Sequence, residues 1–245
     1  TSSAAEALAS YTNNNAAVFS ITDTAANLAT EAAASRATLN TATSIAYSDA
    51  ATVAQVAALN AASTVDAAAG YALNDTQANL IGDATVTGSA GNITVSDAGI
   101  TVAQGLAIEA LGNTGTNAYV IADTVGTALA ASAAVTSSTT AISTSDATIT
   151  VAQANALVSK YGASKVTDTT FDIADTAANL VTLSAASIAE ADAGGGNEIA
   201  MTGTATVSQA LNINAAVSAA TLDLTTMAVS DTAANILAGT EDATN

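Results

Sequence analysis

The stretch Phe19-Ser20-Ile21-Thr22-Asp23-Thr24-Ala25-Ala26-Asn27-Leu28 carries the pattern from which the rest of the chain is built. Its first five residues alternate apolar and small or polar side chains, the period-2 signature of a strand with one buried face. Asp23 ends the strand, since aspartate favours turns and helix caps. The following Thr-Ala-Ala-Asn-Leu reads as an N-cap and one or two helical turns.

The six-residue string from Asp23 recurs identically at Asp175, with variants at Asp75, Asp123 and Asp231. A second string, Thr-Val-Ala-Gln, begins at Thr52, Thr101 and Thr150, and as Thr-Val-Ser-Gln at Thr206. Its successive starts lie 49, 49 and 56 residues apart, a period of about fifty. An apolar–x–apolar–x–Asp pattern precedes both strings. Its final slot holds Asp23, Asp49, Asp75, Asp97, Asp123, Asp146, Asp175, Gly203 and Asp231, nine positions averaging 26 residues apart. Four residues before the slot, Phe19, Tyr71, Tyr119, Phe171 and Met227 occupy the odd units, and Ile45, Ile93, Ile142 and Ile199 the even ones. Two before the slot the residue is apolar in all but Thr144.

In the even units Thr-x-x-Gln is a capping-box sequence, pairing Thr52 with Gln55, Thr101 with Gln104, Thr150 with Gln153 and Thr206 with Gln209; Ser3 with Glu6 is a first-unit version. Apolar residues such as Val53, Val56 and Leu59 then fall on one helical side. Each unit is a strand, a cap and a short helix, too small to bury its own apolar face. Stacking buries it, so the expected fold is a right-handed parallel β/α solenoid of about 26 residues per coil in alternating pairs. Residues 1–245 would form one domain, with repeats near 1–51, 52–100, 101–149, 150–205 and 206–245 and nine strands in one sheet. Both ends look uncapped, which points to a slice of a longer array or to copies meeting head to tail.

Composition removes most chemistry. The chain has 245 residues, three Lys+Arg against 21 Asp+Glu, no His, Cys, Trp or Pro, and a net charge of −18. Nucleic-acid binding requires many cations and is excluded, as is a polybasic membrane anchor. Disulfides, thiol catalysis and imidazole catalysis have no residues to work with. No apolar run approaches the ~20 residues of a membrane-spanning helix. A Cys-free, acidic chain poor in Lys and Arg offers trypsin-like proteases little to cut, which fits an extracellular setting.

The strings Phe171 to Leu180, Ala228 to Ile236 and Ile149 to Leu157 resemble the Ala/Thr/Asp-rich repeat arrays of giant bacterial, including cyanobacterial, surface proteins: S-layer-like proteins and adhesins. The resemblance covers essentially the whole chain. It implies a secreted structural or adhesive protein at the cell surface, exported by a non-classical or type I route. The calcium-binding G-G-x-G-x-D nonapeptide of many such proteins is missing, and Gly194-Gly195-Gly196-Asn197 reads as a loop. The expected function is an extracellular structural protein that assembles end to end with itself into a filament or surface layer. The alternative is a rigid spacer in a giant adhesin, and ice or carbohydrate binding is a third reading.

No catalytic or cofactor-binding residues are assigned, and an enzyme is not expected. The aspartate column reads as capping, with a calcium ladder as its competitor, because stacked carboxylates are suitable hard ligands but lie about 26 residues apart. Thr148-Ile149-Thr150 and Ser137-Ser138-Thr139-Thr140 read as strand and loop residues, and Asn212-Ile213-Asn214 as a turn. Lys160 and Lys165, with Arg36, are the only cations, and Lys160 with Tyr161 reads as part of a solvated loop.

Overall fold

The computed structural model describes residues 19–34, 37–166, 172–192, 199–217 and 228–242. Ser3, Glu6, Arg36, Phe171, Met227 and the stretch Gly194–Asn197, expected to be a loop, lie outside them.

Strands form where the alternation places them. They are β1 (Ser20–Asp23), β2 (Ser44–Tyr47), β3 (Leu73–Asp75), β4 (Ile93–Val95), β5 (Asn117–Asp123), β6 (Thr139–Thr144), β7 (Thr148–Ile149), β8 (Asp172–Thr176), β9 (Ile199–Thr202), β10 (Thr204–Ala205) and β11 (Ala228–Val229). Every pairing with a defined register is parallel, as in Ser20↔Ser44, Ile93↔Asn117, Thr148↔Asp172 and Thr204↔Ala228. Helices connect the strands, as parallel pairing requires.

The expected solenoid with one nine-stranded sheet does not form. The described residues build a mixed α/β structure with twelve α-helices and four short sheets, in the orders β1-β2, β3-β4-β5-β6, β7-β8-β9 and β10-β11. Three of the four even slots, Asp49, Asp146 and Gly203, break the ladder, while at Asp97 it continues through β3-β4-β5. β2 ends at Tyr47, the chain bends through Asp49, and the next bridge is Ala51 to Leu73. β6 and β7 are likewise separated around Asp146, and β9 and β10 at Gly203, whose φ of 83° only a glycine adopts readily. Each bend redirects the backbone to a new partner. One alternating stretch thereby contributes two short strands rather than one rung.

The chain divides into two compact units, Thr1–Val120 and Ile121–Asn245. In the first, helices Ala25–Ala33 and Val53–Ala62 pack together, and Ile21, Leu28, Leu39, Ile45 and Leu59 form a buried cluster. Further along this unit, helix Gln77–Gly82 packs on Val102–Glu109. In the second, helix Val125–Ala130 packs on Val151–Tyr161, and Ala177–Leu180 on Val207–Val217. The expected turn at Asn212–Asn214 is instead inside that last helix, with Ile213 buried. Its apolar spacing continues through the asparagines, and packing outweighs their weak preference for turns. No helix among the described residues is long and apolar enough to cross a membrane.

Leu28, Leu80, Ala128 and Leu180 occupy the same place, five residues after the slot, and all are fully buried. Leu80→Ala should lower unfolding free energy by about 3 kcal/mol through lost apolar contact and the cavity left behind. Urea denaturation followed by circular dichroism measures it.

Candidate functional site

The residues with the most distinctive polar chemistry sit where helices begin. Thr52, Thr101 and Thr150 are N-caps of helices Val53–Ala62, Val102–Glu109 and Val151–Tyr161. Each threonine Oγ1 accepts from the backbone N–H three residues on, at Gln55 (3.3 Å), Gln104 (3.2 Å) and Gln153 (3.3 Å). Each glutamine Oε1 accepts in return from the threonine N–H, at 2.8 Å in all three. Thr206 and Gln209 repeat the pair at 3.2 and 2.9 Å. Two of the amides that a helix start leaves without intrahelical partners are satisfied reciprocally.

The first amide of the helix is satisfied from elsewhere. Asp75 Oδ2 accepts from Val53 N–H at 2.9 Å, Asp175 Oδ2 from Val151 N–H at 3.1 Å, and Asp231 Oδ2 from Val207 N–H at 3.1 Å. Asp49 takes Ala25 N–H at 2.7 Å, Asp97 takes Gln77 N–H at 2.6 Å, and Asp146 takes Val125 N–H at 2.5 Å. In all six cases the donor lies 20–24 residues earlier in the chain. The slot aspartate therefore caps the helix of the preceding unit. A carboxylate at that position also faces the positive end of the helix dipole.

In the odd units the second carboxylate oxygen is held locally. Asp75 Oδ1 accepts from Thr76 N–H (2.8 Å) and Asn79 Nδ2 (2.8 Å), Asp175 Oδ1 from Thr176 N–H (2.8 Å) and Asn179 Nδ2 (2.7 Å). Asp23 and Asp231 make the same two local bonds, to Thr24 with Asn27 and to Thr232 with Asn235. Asp123 bonds Thr124 N–H at 2.8 Å, and its fourth neighbour is Thr127 rather than asparagine. Thr24, Thr76 and Thr124 supply the N-cap oxygen for the helix that follows. The string Asp-Thr-x-Ala-Asn-Leu thus divides its labour by position. Aspartate reaches back, threonine caps forward, asparagine fixes the aspartate, and leucine fills the core. The asparagine's role and the reach to the preceding helix were missed from sequence. Asparagine at slot plus four, at positions 27, 79, 179 and 235, was the available signal. The reach itself has none, because its donor is a backbone amide that any residue type supplies.

At the eighth slot Gly203 has no carboxylate to offer. The helix it would serve, Ala177–Leu180, has four residues and no side-chain bond from its N-cap Thr176.

Desolvation alone would raise the Asp175 carboxyl, but hydrogen bonds from Asn179, Thr176 and Val151 outweigh it and hold its pKa below the ordinary value. For Asp231 the bond from Asn235 dominates, with Thr232 and Val207 adding to it, and the pKa is again lowered. Carboxylates committed to two or three N–H donors are poor proton acceptors. Among the described residues no group of three or more His, Cys, Asp or Glu side chains could hold a metal ion.

The lysines sit differently from the expected solvated loop. Lys160 and Tyr161 close helix Val151–Tyr161, which runs on until Gly162 turns out with φ of 84°. Lys160 Nζ donates to the Leu129 and Ala131 carbonyls at 2.8 and 2.7 Å, and Tyr161 Oη to the Ala128 carbonyl at 2.8 Å. These carbonyls close helix Val125–Ala130, whose C-terminal end attracts a cation. Burial raises the pKa of Tyr161 and of Tyr71, whose hydroxyl donates to the Val86 carbonyl at 2.6 Å. An open groove of about 470 Å³ beside Lys160 and Lys165 is lined by Ala133, Thr136 and Ser137.

The chain matches no protein-family model, no curated protein and no solved structure.

Asp75→Asn places an NH2 group where one carboxylate oxygen accepts, and should cost about 2 kcal/mol. The same change at exposed Asp66 should cost less than about 0.5 kcal/mol. Chemical denaturation of both variants makes the comparison. Acid provides a second check. Asp175 and Asp231 have folded pKa values below the unfolded one of about 3.9. Their stabilisation is complete above that value and is lost as pH falls through the depressed folded values. The melting temperature should therefore drop steeply below about pH 4, and less steeply in Asp175→Asn.

Proposed function

We propose that this chain is an extracellular structural repeat protein that assembles end to end with copies of itself into a filament or surface layer. The observation that carries this reading is the set of six carboxylate-to-amide bonds, each tying one unit to the helix start of the unit before it. The chain's most regular polar chemistry serves cohesion between neighbours. Its slot aspartates accept from backbone amides and its lysines donate to backbone carbonyls. The likeness of the repeat strings to bacterial surface-protein arrays points the same way and supports a cell-surface location. The reading assigns no catalytic residue, cofactor or nucleic-acid partner.

Electron microscopy of purified native material tests it. The expected result is a fibre or layer whose axial repeat corresponds to one chain, with chain breaks between subunits. A continuous polypeptide far longer than 245 residues would instead make this segment a spacer within a giant adhesin. Dispersed single particles at high concentration would overturn the assembly reading.

A further inference from the structure

We propose that the groove beside Lys160 and Lys165 receives the Asp66 carboxylate of a second copy of this chain. The inference rests on the self-assembly reading above and names a contact that would serve it.

Residues 124–167 hold two of the chain's three cations and only one of its 21 acidic residues, Asp146, in a chain of net charge −18. Both lysines are half-buried and line the same groove of about 470 Å³, which Ala133, Thr136, Ser137 and Tyr161 complete. Lys160 Nζ gives two of its three N–H groups to the Leu129 and Ala131 carbonyls, which fixes the ammonium and leaves one N–H over. Lys165 Nζ has the Thr136 carbonyl, at a long 3.5 Å. Asp146 is committed to Val125 N–H, and among the described residues neither lysine is ion-paired. Two ammonium groups thus line one groove without an anion between them. A carboxylate accepting from both is the chemistry that completes it.

Charge complementarity points to the occupant. Every copy is strongly acidic, so two copies repel unless a carboxylate of one meets a cation of the other. Most described carboxylates are already engaged within their own chain. The slot aspartates accept from backbone amides, Asp83 from Val86 N–H, and Glu109 from the Tyr119 hydroxyl. Among the described side chains, Asp66 is the one carboxylate that is exposed and holds no hydrogen bond. It lies in the connection between helix Val53–Ala62 and β3. Asp66 belongs to the first compact unit and the groove to the second, so every copy carries both halves of the contact and can give and receive it. Contact between two unlike patches is the kind that end-to-end growth uses.

Sedimentation velocity of the full 245-residue chain across a concentration series is the test. The wild type is expected to associate. Asp66→Lys and Lys165→Glu, which set like charges against each other in the contact, should each weaken association about tenfold or more. Lys160 is left unchanged because it also closes helix Val125–Ala130. An equimolar mixture of the two variants should regain association, since each then meets a partner of opposite charge, whereas damage to folding in either one would not be repaired by mixing. Circular dichroism verifies that both variants are folded. Association insensitive to both substitutions would leave the groove to some other anion and overturn this contact while self-assembly stands. Weakened variants that fail to recover on mixing would overturn the pairing of Asp66 with the lysines. A wild type that stays monomeric throughout would overturn both the contact and the assembly reading.

Discussion

A backbone amide at the start of a helix must find an acceptor, and here the acceptor comes from the following unit. That constraint organises the described structure. The first amides of Ala25–Ala33, Gln77–Gly82 and Val53–Ala62, and of their counterparts in the second unit, donate to aspartates 20–24 residues later in the chain. Removing water from a helix start without such a partner would cost free energy comparable to a lost hydrogen bond. A helix beginning is therefore complete only when the next strand has arrived, and local structure and contact between units form together.

The cohesion suits a chain short of other means. Half the residues are nominally hydrophobic, but seven aromatics and an abundance of alanine leave little area to bury per residue. Disulfides are unavailable and three cations cannot build ion-pair networks. Charge-assisted bonds from amides to carboxylates fill that gap. They also neutralise part of the repulsion among aspartates by placing each against the positive end of a helix. The lysines complement the other end, with Lys160 on the carbonyls that close helix Val125–Ala130.

Much of this was written in the alternation and the caps. The strands ending near Asp23, Asp75 and Asp123 follow directly from period-2 spacing, and the Thr-x-x-Gln strings name the starts of four helices. The continuous nine-stranded sheet did not follow. Alternation specifies which face of a strand is buried, but it does not say whether the backbone runs straight or bends at the polar residue that ends the run. Asp49, Asp146 and Gly203 sit in bends that hand the ladder to a new partner, and four short sheets result. Lys160 escaped for a related reason, since its carbonyl partners lie about thirty residues earlier in the chain.

Sequence alone determined the period, the starts of the helices behind the repeated caps, the buried side of the strands that end near Asp23 and Asp75, and the exclusion of thiol and imidazole chemistry. These are properties of neighbouring residues and of composition, which need no knowledge of distant contacts. Tertiary structure alone decided which oxygen meets which amide. The aspartate reaches a backbone group that carries no side-chain signature, and only the folded path brings Asp75 to Val53 or Asp175 to Val151.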